Sequence, residues 1–224
     1  MDDVIDRAPL FTALDGEAVA ALRDSMSEVT LGPGQVLFRE GDPGNHLYVI
    51  AEGKVKLART TGYRQESLLA VLAPGEMFGE LSLFDPGPRT STATALTEAR
   101  LLALNHADLK PWLEDRPQVA ICLLAQLARR LRRAQDVVAD LVFCDLPARV
   151  AKTLLDLAQR FGVATADGLH VGHDLTQLDL AGLVGASRER VNRVLSDFAE
   201  RGWLRLESRA VVLLDMEQLR GRAD

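Results

Sequence analysis

The spacing of apolar residues changes along this chain of 224 residues, and that change restricts the fold more than any other feature. Between Thr30 and Asn105 the apolar residues alternate with polar ones in short runs that glycines separate. A period of two with regular glycine turns is typical of short antiparallel strands. From Ala107 onward the spacing is helical. The sequence therefore predicts an α+β chain that begins with an antiparallel β sandwich or jelly roll.

The segments on either side of the predicted strands are expected to be helical. Residues 4–28 place apolar residues at helical spacing, with Val19 and Leu22 on one face. The glycines that separate the strands are each expected to occupy a turn with positive φ: Gly34, Gly41, Gly53, Gly62 and Gly75.

A second helical segment, from about Pro117 to Val142, contains few helix breakers. Its apolar residues step by three and four, as in the a and d positions of a coiled coil: Leu124, Leu127, Leu131, Ala134, Val138 and Leu141. Four arginines flank this seam: Arg129, Arg130, Arg132 and Arg133. The seam indicates a helix that pairs with a second copy; an amphipathic helix lying on its own domain is the alternative.

Composition narrows the class of protein. No apolar run approaches the roughly 20 residues that span a bilayer, and the acidic start is a poor targeting peptide, so we expect a cytoplasmic protein without a membrane partner. The net charge is −6, yet residues 145–224 carry 11 Lys and Arg against 12 Asp and Glu. This nearly neutral third leaves room for a local basic face, which is what a DNA-binding domain needs.

The most specific local pattern is LTQLDLAGLVGASRERVNRVLSDFAERGWL. It predicts two helices, about Thr176–Val184 and Arg188–Arg201, joined by a tight turn at Gly185. Thr176 and Ser187 are the expected N-caps, and a charged set points outward from the second helix: Arg188, Glu189, Arg190 and Arg193. A helix (Leu146–Phe161) and a short connection precede the pair, and a hairpin formed by Trp203–Leu206 and Val211–Leu214 follows it. This is the layout of a DNA recognition helix, although a charged face on an ordinary three-helix bundle is the simpler alternative.

A Pro/Gly-rich turn lies upstream, in FGELSLFDPGPRTSTATA. It brings the carboxylate of Glu80 into the same segment as Arg89, Thr90 and Ser91. A charged planar donor next to hydroxyls suits a phosphate, while a structural Glu–Arg pair closing a surface turn is the alternative.

On FGELSLFDPGPRT and LVGASRERVNRVLSDF, in this order, the chain resembles the CRP/FNR family of bacterial transcription regulators, of the cyclic-AMP receptor type. The resemblance covers essentially the whole chain. It implies a cyclic-nucleotide-binding sensor domain (1–116), a dimerisation helix (117–144) and a winged helix-turn-helix DNA-binding domain (145–224). It further implies a homodimer that binds palindromic double-stranded DNA and has RNA polymerase as a partner.

The resemblance also assigns site residues. The nucleotide cassette corresponds to Gly79, Glu80, Leu81, Ser82, Arg89, Thr90 and Ser91. In it Glu80 would accept from the ribose 2′-OH and Arg89 would pair with the cyclic phosphate. Arg188, Glu189 and Arg193 match base-reading positions, Thr176 and Ser187 match phosphate-touching positions, and Arg190 stands where Thr is more usual.

The positions that match the adenine contacts of cyclic-AMP receptors are Ala134 and Gln135. Ala134 has no hydroxyl, whereas Gln135 has both a donor and an acceptor. Weak cyclic-AMP binding, a different cyclic nucleotide, and DNA binding without a ligand therefore stay open as alternatives.

Other effectors and other classes fit the sequence less well. Cys122 and Cys144 do not have the spacing of an iron–sulfur cluster, and four scattered histidines suggest neither haem nor another metal. A cupin-type enzyme needs clustered His ligands, and no Ser-His-Asp order or phosphate-binding P-loop is present, so we expect no enzyme. A nucleotide-binding module for an attached effector would have only the helix-turn-helix to control.

Overall fold

The computed structural model describes Ala8, Phe11 and residues 14–60 and 66–223; for Glu66 only the backbone is described. Two compact units are present, the first formed by Met1–Gln65 with Leu69–Arg133 and the second by Glu66–Leu68 with Ala134–Asp224. No helix among the described residues is long and apolar enough to cross a membrane.

The first unit contains a β sandwich whose strands follow the period of two seen in the sequence. The strands are β1 (Ser27–Leu31), β2 (Val36–Phe38), β3 (His46–Glu52), β4 (Val55–Thr60), β5 (Glu66–Leu72), β6 (Met77–Phe78), β7 (Thr92–Ala95) and β8 (Ala99–Asn105), and the first three residues of β5 belong to the second unit. They form two four-stranded sheets, in the orders β1-β8-β3-β6 and β2-β7-β4-β5. The alternating inward residues form the core, in which Ile50, Phe78 and Leu101 are fully buried. The predicted antiparallel jelly-roll class is confirmed.

Three short helices accompany the sandwich: α1 (Gly16–Asp24), α2 (Leu81–Phe84) and α3 (His106–Asp115). The expectation of helix over residues 4–28 is wrong at its C-terminal end, because Ser27 already begins β1. There Val29 pairs with Leu101 of β8, and this sheet pairing outweighs the local helical spacing. Of the expected helical segment, residues 4–7, 9, 10, 12 and 13, among them the apolar Val4 and Leu10, lie outside the described residues.

Four of the five turn glycines have positive φ, as expected, while Gly62 lies outside the described residues. Gly53 shows why no other residue fits. A Cβ on Gly53 would lie 2.0 Å from the carbonyl oxygen of Glu98. The sharp turn between β3 and β4 therefore requires both the left-handed backbone and the missing side chain.

The long helix α4 (Pro117–Phe143) is continuous over 27 residues and contributes to both units. Val119, Leu123 and Gln126 are its buried residues. The apolar seam is on a different face, where Leu124, Leu131 and Val138 are each about 60% exposed. The buried residues in the N-terminal half of α4 are thus on a different face from Leu124, Leu131 and Val138.

The second unit holds the helical C-terminal part together with a four-stranded sheet of order β11-β12-β10-β9. Its elements are α5 (Leu146–Phe161), β9 (Gly162–Thr165), β10 (Gly168–Val171), α6 (Gln177–Val184), α7 (Arg188–Glu200), β11 (Leu204–Glu207), β12 (Ala210–Leu213) and α8 (Met216–Ala223). The α6–turn–α7 pair and the terminal hairpin match the prediction to within about one residue.

Two elements of this unit differ from the expectation. The short connection after α5 is an antiparallel hairpin, β9–β10, which adds two strands to the sheet because Leu169 pairs with Leu213 of β12. The chain also continues beyond the terminal hairpin into α8, whose Leu219 is fully buried.

Candidate effector pocket and nucleic-acid interface

A pocket opens on the first unit beside the Pro/Gly-rich turn. Its empty space, part of it open to solvent, is about 370 Å³. It is lined by two arginines, three hydroxyl side chains and an apolar wall: Arg89, Arg130, Ser82, Thr90, Ser91, Phe38, Leu57, Phe78, Gly79, Leu81 and Pro88. Six of the seven cassette residues expected from the sequence thus lie around one cavity; the exception is Glu80.

Arg89 is positioned by its own backbone. Its N–H donates to the carbonyl of Asp42 (2.8 Å), and its carbonyl accepts from the N–H of Gly41 (2.9 Å). The turn at residues 41–42 therefore anchors the arginine backbone, so that the side chain enters the fold rather than solvent. Arg89 is only 6% exposed.

The Arg89 guanidinium is held on three sides. Its Nη1 donates to the carbonyl of Gly79 (3.1 Å), its Nη2 donates to the carbonyl of His46 (2.8 Å), and its carbon lies 4.2 Å from the centre of the Phe38 ring. The buried Nε–H has no hydrogen-bond partner among the described residues. Such an unpaired buried donor is costly, and an anion entering the pocket would be a natural acceptor.

Burial controls the ionisation of this cluster. It lowers the pKa of Arg89, while the neighbouring Tyr48 and Glu80 act in the opposite direction. Burial, followed by the charge of Arg89, also lowers the pKa of His106. The lowered pKa favours the neutral form of His106 beside the arginine.

Glu80 is fully buried and is turned toward the long helix. Its Oε1 accepts from Nη1 of Arg130 at 2.6 Å, and Nη2 of Arg130 donates to the carbonyl of Met77. The second carboxylate oxygen, Oε2, has no partner among the described residues. A buried acceptor of this kind is satisfied by a ligand hydroxyl at low cost.

Arg130 is the residue that sequence reasoning missed, since it was counted only among the charges beside the seam. It lies seven residues after Leu123 and four after Gln126, whose Nε2 also donates to the carbonyl of Met77 (3.2 Å). Extending the buried face of α4 by one helical turn would therefore have directed Arg130 toward the sandwich.

Two glycines allow the pocket to close tightly. Gly79 has φ of 86°, and a Cβ there would lie 2.8 Å from Nη1 of Arg89. A Cβ on Gly44 would lie 2.5 Å from Oγ of Ser82, which is itself within 3.3 Å of the carbonyl of Gly79. Any larger residue at either position would displace the arginine or the hydroxyl.

The two residues expected to contact the adenine of a bound nucleotide do not lie at this pocket. Ala134 and Gln135 are exposed on α4, belong to the second unit and do not line the pocket. Within the described part of the chain, no group of three or more His, Cys, Asp or Glu side chains is arranged to hold a metal ion.

The helix-turn-helix begins with the predicted cap. The hydroxyl of Thr176 accepts from the N–H of Asp179 (3.1 Å), and the carboxylate of Asp179 accepts from the N–H (3.0 Å) and hydroxyl (2.6 Å) of Thr176. Asp179 thus acts as the short-armed partner in a capping box. Because the Thr176 hydroxyl donates to Asp179, it is already used within the protein.

The turn between α6 and α7 depends on Gly185, which has φ of 73°. A Cβ on Gly185 would lie 2.8 Å from Cδ2 of Leu141, in the last turn of α4. Nearby, Nε of Arg149 donates to the carbonyl of Val184 (3.2 Å) and its Nη1 donates to the carbonyl of Cys144 (3.1 Å). The end of α4 is therefore tied to the turn within this unit.

The second helix, α7, buries one face and exposes the other. Val191, Leu195 and Phe198 are buried. The four charged residues of its first two turns are all exposed: Arg188, Glu189, Arg190 and Arg193. Ser187 stands at the N-cap position but makes no side-chain cap bond.

The terminal hairpin, β11–β12, is the wing of this domain and continues the same face. Its turn holds Ser208 and Arg209, and Arg209 adopts a left-handed conformation with φ of 56°. Together with residues of α6 and α7 it lines an open recess: Thr176, Gln177, Leu178, Arg188, Glu207, Ser208 and Arg209. An exposed, mainly basic helix start beside a hairpin turn is the geometry with which a winged helix meets DNA.

A sandwich with an anion-suited pocket, followed by a winged helix-turn-helix, defines an effector-responsive DNA-binding regulator. The family model described as a cyclic nucleotide-binding domain matches residues 28–116, and the one described as a Crp-like helix-turn-helix domain matches residues 148–222. This chain belongs to the CRP/FNR family of transcription regulators, whose members are not enzymes.

Individual relatives also belong to this class of regulator. A "CRP-like cAMP-activated global transcriptional regulator" of Mycobacterium tuberculosis is 50% identical over 223 residues, which is 100% of both chains. A "Cyclic AMP receptor protein" of Thermus thermophilus is 42% identical over 200 residues, 89% of each chain. Among solved structures, the c-di-GMP responsive global regulator CLP of Xanthomonas campestris superposes with a TM-score of 0.79 at 26% identity, covering 89% of this chain and 99% of its own.

Proposed function

We propose that the protein is a dimeric transcription regulator whose affinity for a palindromic DNA site is controlled by a cyclic nucleotide, with cyclic AMP as the first candidate. The observation that carries this proposal is the pair of unpartnered buried atoms in the cassette, a donor at Arg89 Nε and an acceptor at Glu80 Oε2. A ribose cyclic phosphate offers both complements, an anion and a hydroxyl.

The residues divide between the two ends of such a ligand. Arg89 would contact the cyclic phosphate, with the hydroxyls of Ser82, Thr90 and Ser91 as further donors. Glu80, oriented by Arg130, would accept from the ribose 2′-OH. The apolar wall formed by Phe38 and Leu57 suits the uncharged part of the ligand.

Dimerisation through residues 117–144 is supported by the exposed seam of α4. Leu124, Leu131 and Val138 repeat at intervals of seven and are exposed, an arrangement that a second copy of the same helix would cover. Gln135 of the second copy would then be the candidate for contact with the base, because Ala134 has no hydrogen-bonding group.

On the DNA side, Arg188, Glu189 and Arg193 are the proposed base readers, since Arg pairs with guanine and Glu with cytosine. Ser187, whose hydroxyl makes no cap bond, is the better placed of the two proposed phosphate contacts, because the Thr176 hydroxyl donates to Asp179. Arg190 would add a charge near the groove, and RNA polymerase is the proposed protein partner.

Ligand can control DNA binding only through different affinities for two states. The test is calorimetry with cyclic AMP, cyclic GMP and c-di-GMP, combined with operator affinity measured with and without each ligand. We expect heat of binding and a change in operator affinity with at least one cyclic mononucleotide. Binding of c-di-GMP alone would favour the effector named for the Xanthomonas relative. No heat and no change at millimolar ligand would refute control by these nucleotides while leaving the DNA-binding role intact.

A further inference from the structure

Gln177, the first residue of α6, collects three hydrogen bonds on one atom. Its Oε1 accepts from Nε (3.3 Å) and Nη2 (3.0 Å) of Arg188 and from Nδ2 of Asn192 (2.9 Å). Arg188 and Asn192 are four residues apart on α7 and therefore share a face of that helix. A single amide oxygen on the preceding helix thus fixes two side chains at the start of the recognition helix.

The bonds to Gln177 leave a defined part of Arg188 available. A guanidinium has five N–H donors, and Gln177 engages one on Nε and one on Nη2. Three donors remain, two on Nη1 and one on Nη2, and one from each nitrogen forms the distal edge. Guanine O6 and N7 accept from two parallel donors of this kind, so Arg188 is held ready for end-on contact with a guanine.

Asn192 further restrains the side chain of Gln177. Its Nδ2 donates to Gln177, while its Oδ1 is buried without a partner among the described residues. The amide is therefore fixed by the one bond it makes to Gln177. That bond in turn restricts the direction in which the Gln177 carbonyl can point.

The amide nitrogen of Gln177 is left for another acceptor. Gln177 is exposed, lies next to the helix cap Thr176, and lines the recess shared with the wing residues Ser208 and Arg209. Its Nε2 makes no hydrogen bond within the described part of the protein, so its two donors remain available at this recess, which the proposed function assigns to DNA. A glutamate here would hold Arg188 but repel phosphate, whereas a lysine would do the reverse.

We infer that Gln177 is a positioning residue that determines specificity: its carbonyl orients Arg188 for guanine while its amide N–H₂ group donates to a DNA phosphate. The inference rests on the proposed function, because it requires Arg188 to read a base. It goes beyond that function by making base reading dependent on a residue outside the recognition helix.

The experiment uses the full-length protein and an operator obtained by in vitro selection, with each base pair then changed in turn. Dissociation constants are measured for wild type, Q177A, Q177E and R188A. Q218A serves as the matched control, since Gln218 is an exposed glutamine on α8 of the same unit. Equal melting temperatures show that each exposed substitution leaves the fold intact.

The base pair that Arg188 reads is the operator position at which R188A loses its sequence preference. At that pair we expect Q177A to lower discrimination about three- to tenfold, the equivalent of one or two lost hydrogen bonds, without changing preference elsewhere. Q177E should keep discrimination at that pair and weaken binding to every sequence equally, because its charge repels the phosphate. Q218A should match wild type.

Three results would overturn the inference, and they are distinguishable. If R188A changes no base preference, Arg188 is not a base reader, and the proposed function fails in this detail as well. If R188A flattens one position while Q177A leaves it unchanged, Gln177 does not orient Arg188. If Q177E binds all sequences as tightly as wild type, Gln177 makes no phosphate contact.

Discussion

Arg130 of the long helix donates from Nη1 to the fully buried carboxylate of Glu80 at a distance of 2.6 Å, across 50 residues of sequence. The arginine is 31% exposed and the glutamate is not exposed at all. The helix therefore supplies the charge that allows a carboxylate to remain inside the sandwich. This single pair connects the cassette with the element that carries the proposed dimer seam.

Removing Arg130 should leave Glu80 buried without a partner. We expect R130M to lower the free energy of unfolding of the first unit by about 3 kcal/mol, near the lower limit for a broken buried pair because Arg130 is partly exposed. The measurement is urea unfolding followed by Trp112 fluorescence in a W203F background, which removes the only other tryptophan.

The double variant E80Q/R130M separates charge from packing, because a neutral amide needs no cation. It should recover part of the stability lost in R130M. The control is R133M, because Arg133 is exposed and lies one turn further along α4. This substitution should lower the free energy of unfolding by less than about 0.5 kcal/mol. Equal losses in R130M and R133M would show that the Glu80–Arg130 pair contributes nothing.

Arg89 is expected to be indispensable for nucleotide binding. R89A should abolish binding yet leave the dimer intact. R89K keeps the charge but not the planar donor set, and should weaken binding about tenfold or more, since a charged hydrogen bond contributes about 1.5–3 kcal/mol. Calorimetry measures the affinity for the nucleotide. The control is R59A, because Arg59 is an exposed arginine of the same unit. Wild-type affinity in R89A would remove Arg89 from the phosphate role.

Those features of the fold that depend on local chemistry could be predicted from the sequence. The period of two located the strands, because one face of each strand is buried. The helix-turn-helix was placed to within a residue, because Thr176 and Asp179 form the cap and Gly185 supplies the left-handed turn. Such signals need only a few neighbouring residues.

Features that depend on distant contacts were not predictable in the same way. Nothing near Glu80 in the sequence indicates that its partner is Arg130, because only the packing of α4 brings them together.

Two local elements were missed because their sequence signals are short. The β9–β10 hairpin was missed because its strands are four residues long, although the Asp167–Gly168 dipeptide is a turn signal. Helix α8 is short and largely polar, so its one fully buried leucine left little periodicity to detect.

The proposed dimer seam offers a matched pair of adjacent valines. Val138 occupies an a position of the predicted heptads, whereas Val137 occupies the flanking g position, where charged residues are common. Both side chains are exposed in the single chain, at 61% and 48% respectively. We expect V138E to convert the protein to a monomer and V137E to remain dimeric, as measured by light scattering coupled to size exclusion. A dimer in both variants would exclude the α4 seam as the interface.

Asp145 should make the stability of the second unit depend on pH. Its Oδ1 caps α5 by accepting from the N–H of Ala148 (2.9 Å), and Arg222 of α8 donates to both carboxylate oxygens. The cap bond, followed by Arg222, lowers the pKa of Asp145 below its ordinary value of about 3.8. The ionised form is therefore favoured by folding, and this contribution is present above pH 4 and lost as the pH falls through the lowered pKa.

D145N keeps the cap acceptor but removes the charge, so it isolates the contribution of the carboxylate charge to the stability of the second unit. Because Asp145 is mostly exposed, we expect D145N to be only about 0.5 kcal/mol less stable than wild type at pH 7. D145A should cost about 1 kcal/mol because it also removes the cap. Unfolding followed by Trp203 fluorescence in a W112F background should show the difference between wild type and D145N shrinking as the pH falls below 4. A difference that stays constant over that range would mean that the carboxylate charge does not stabilise the folded unit.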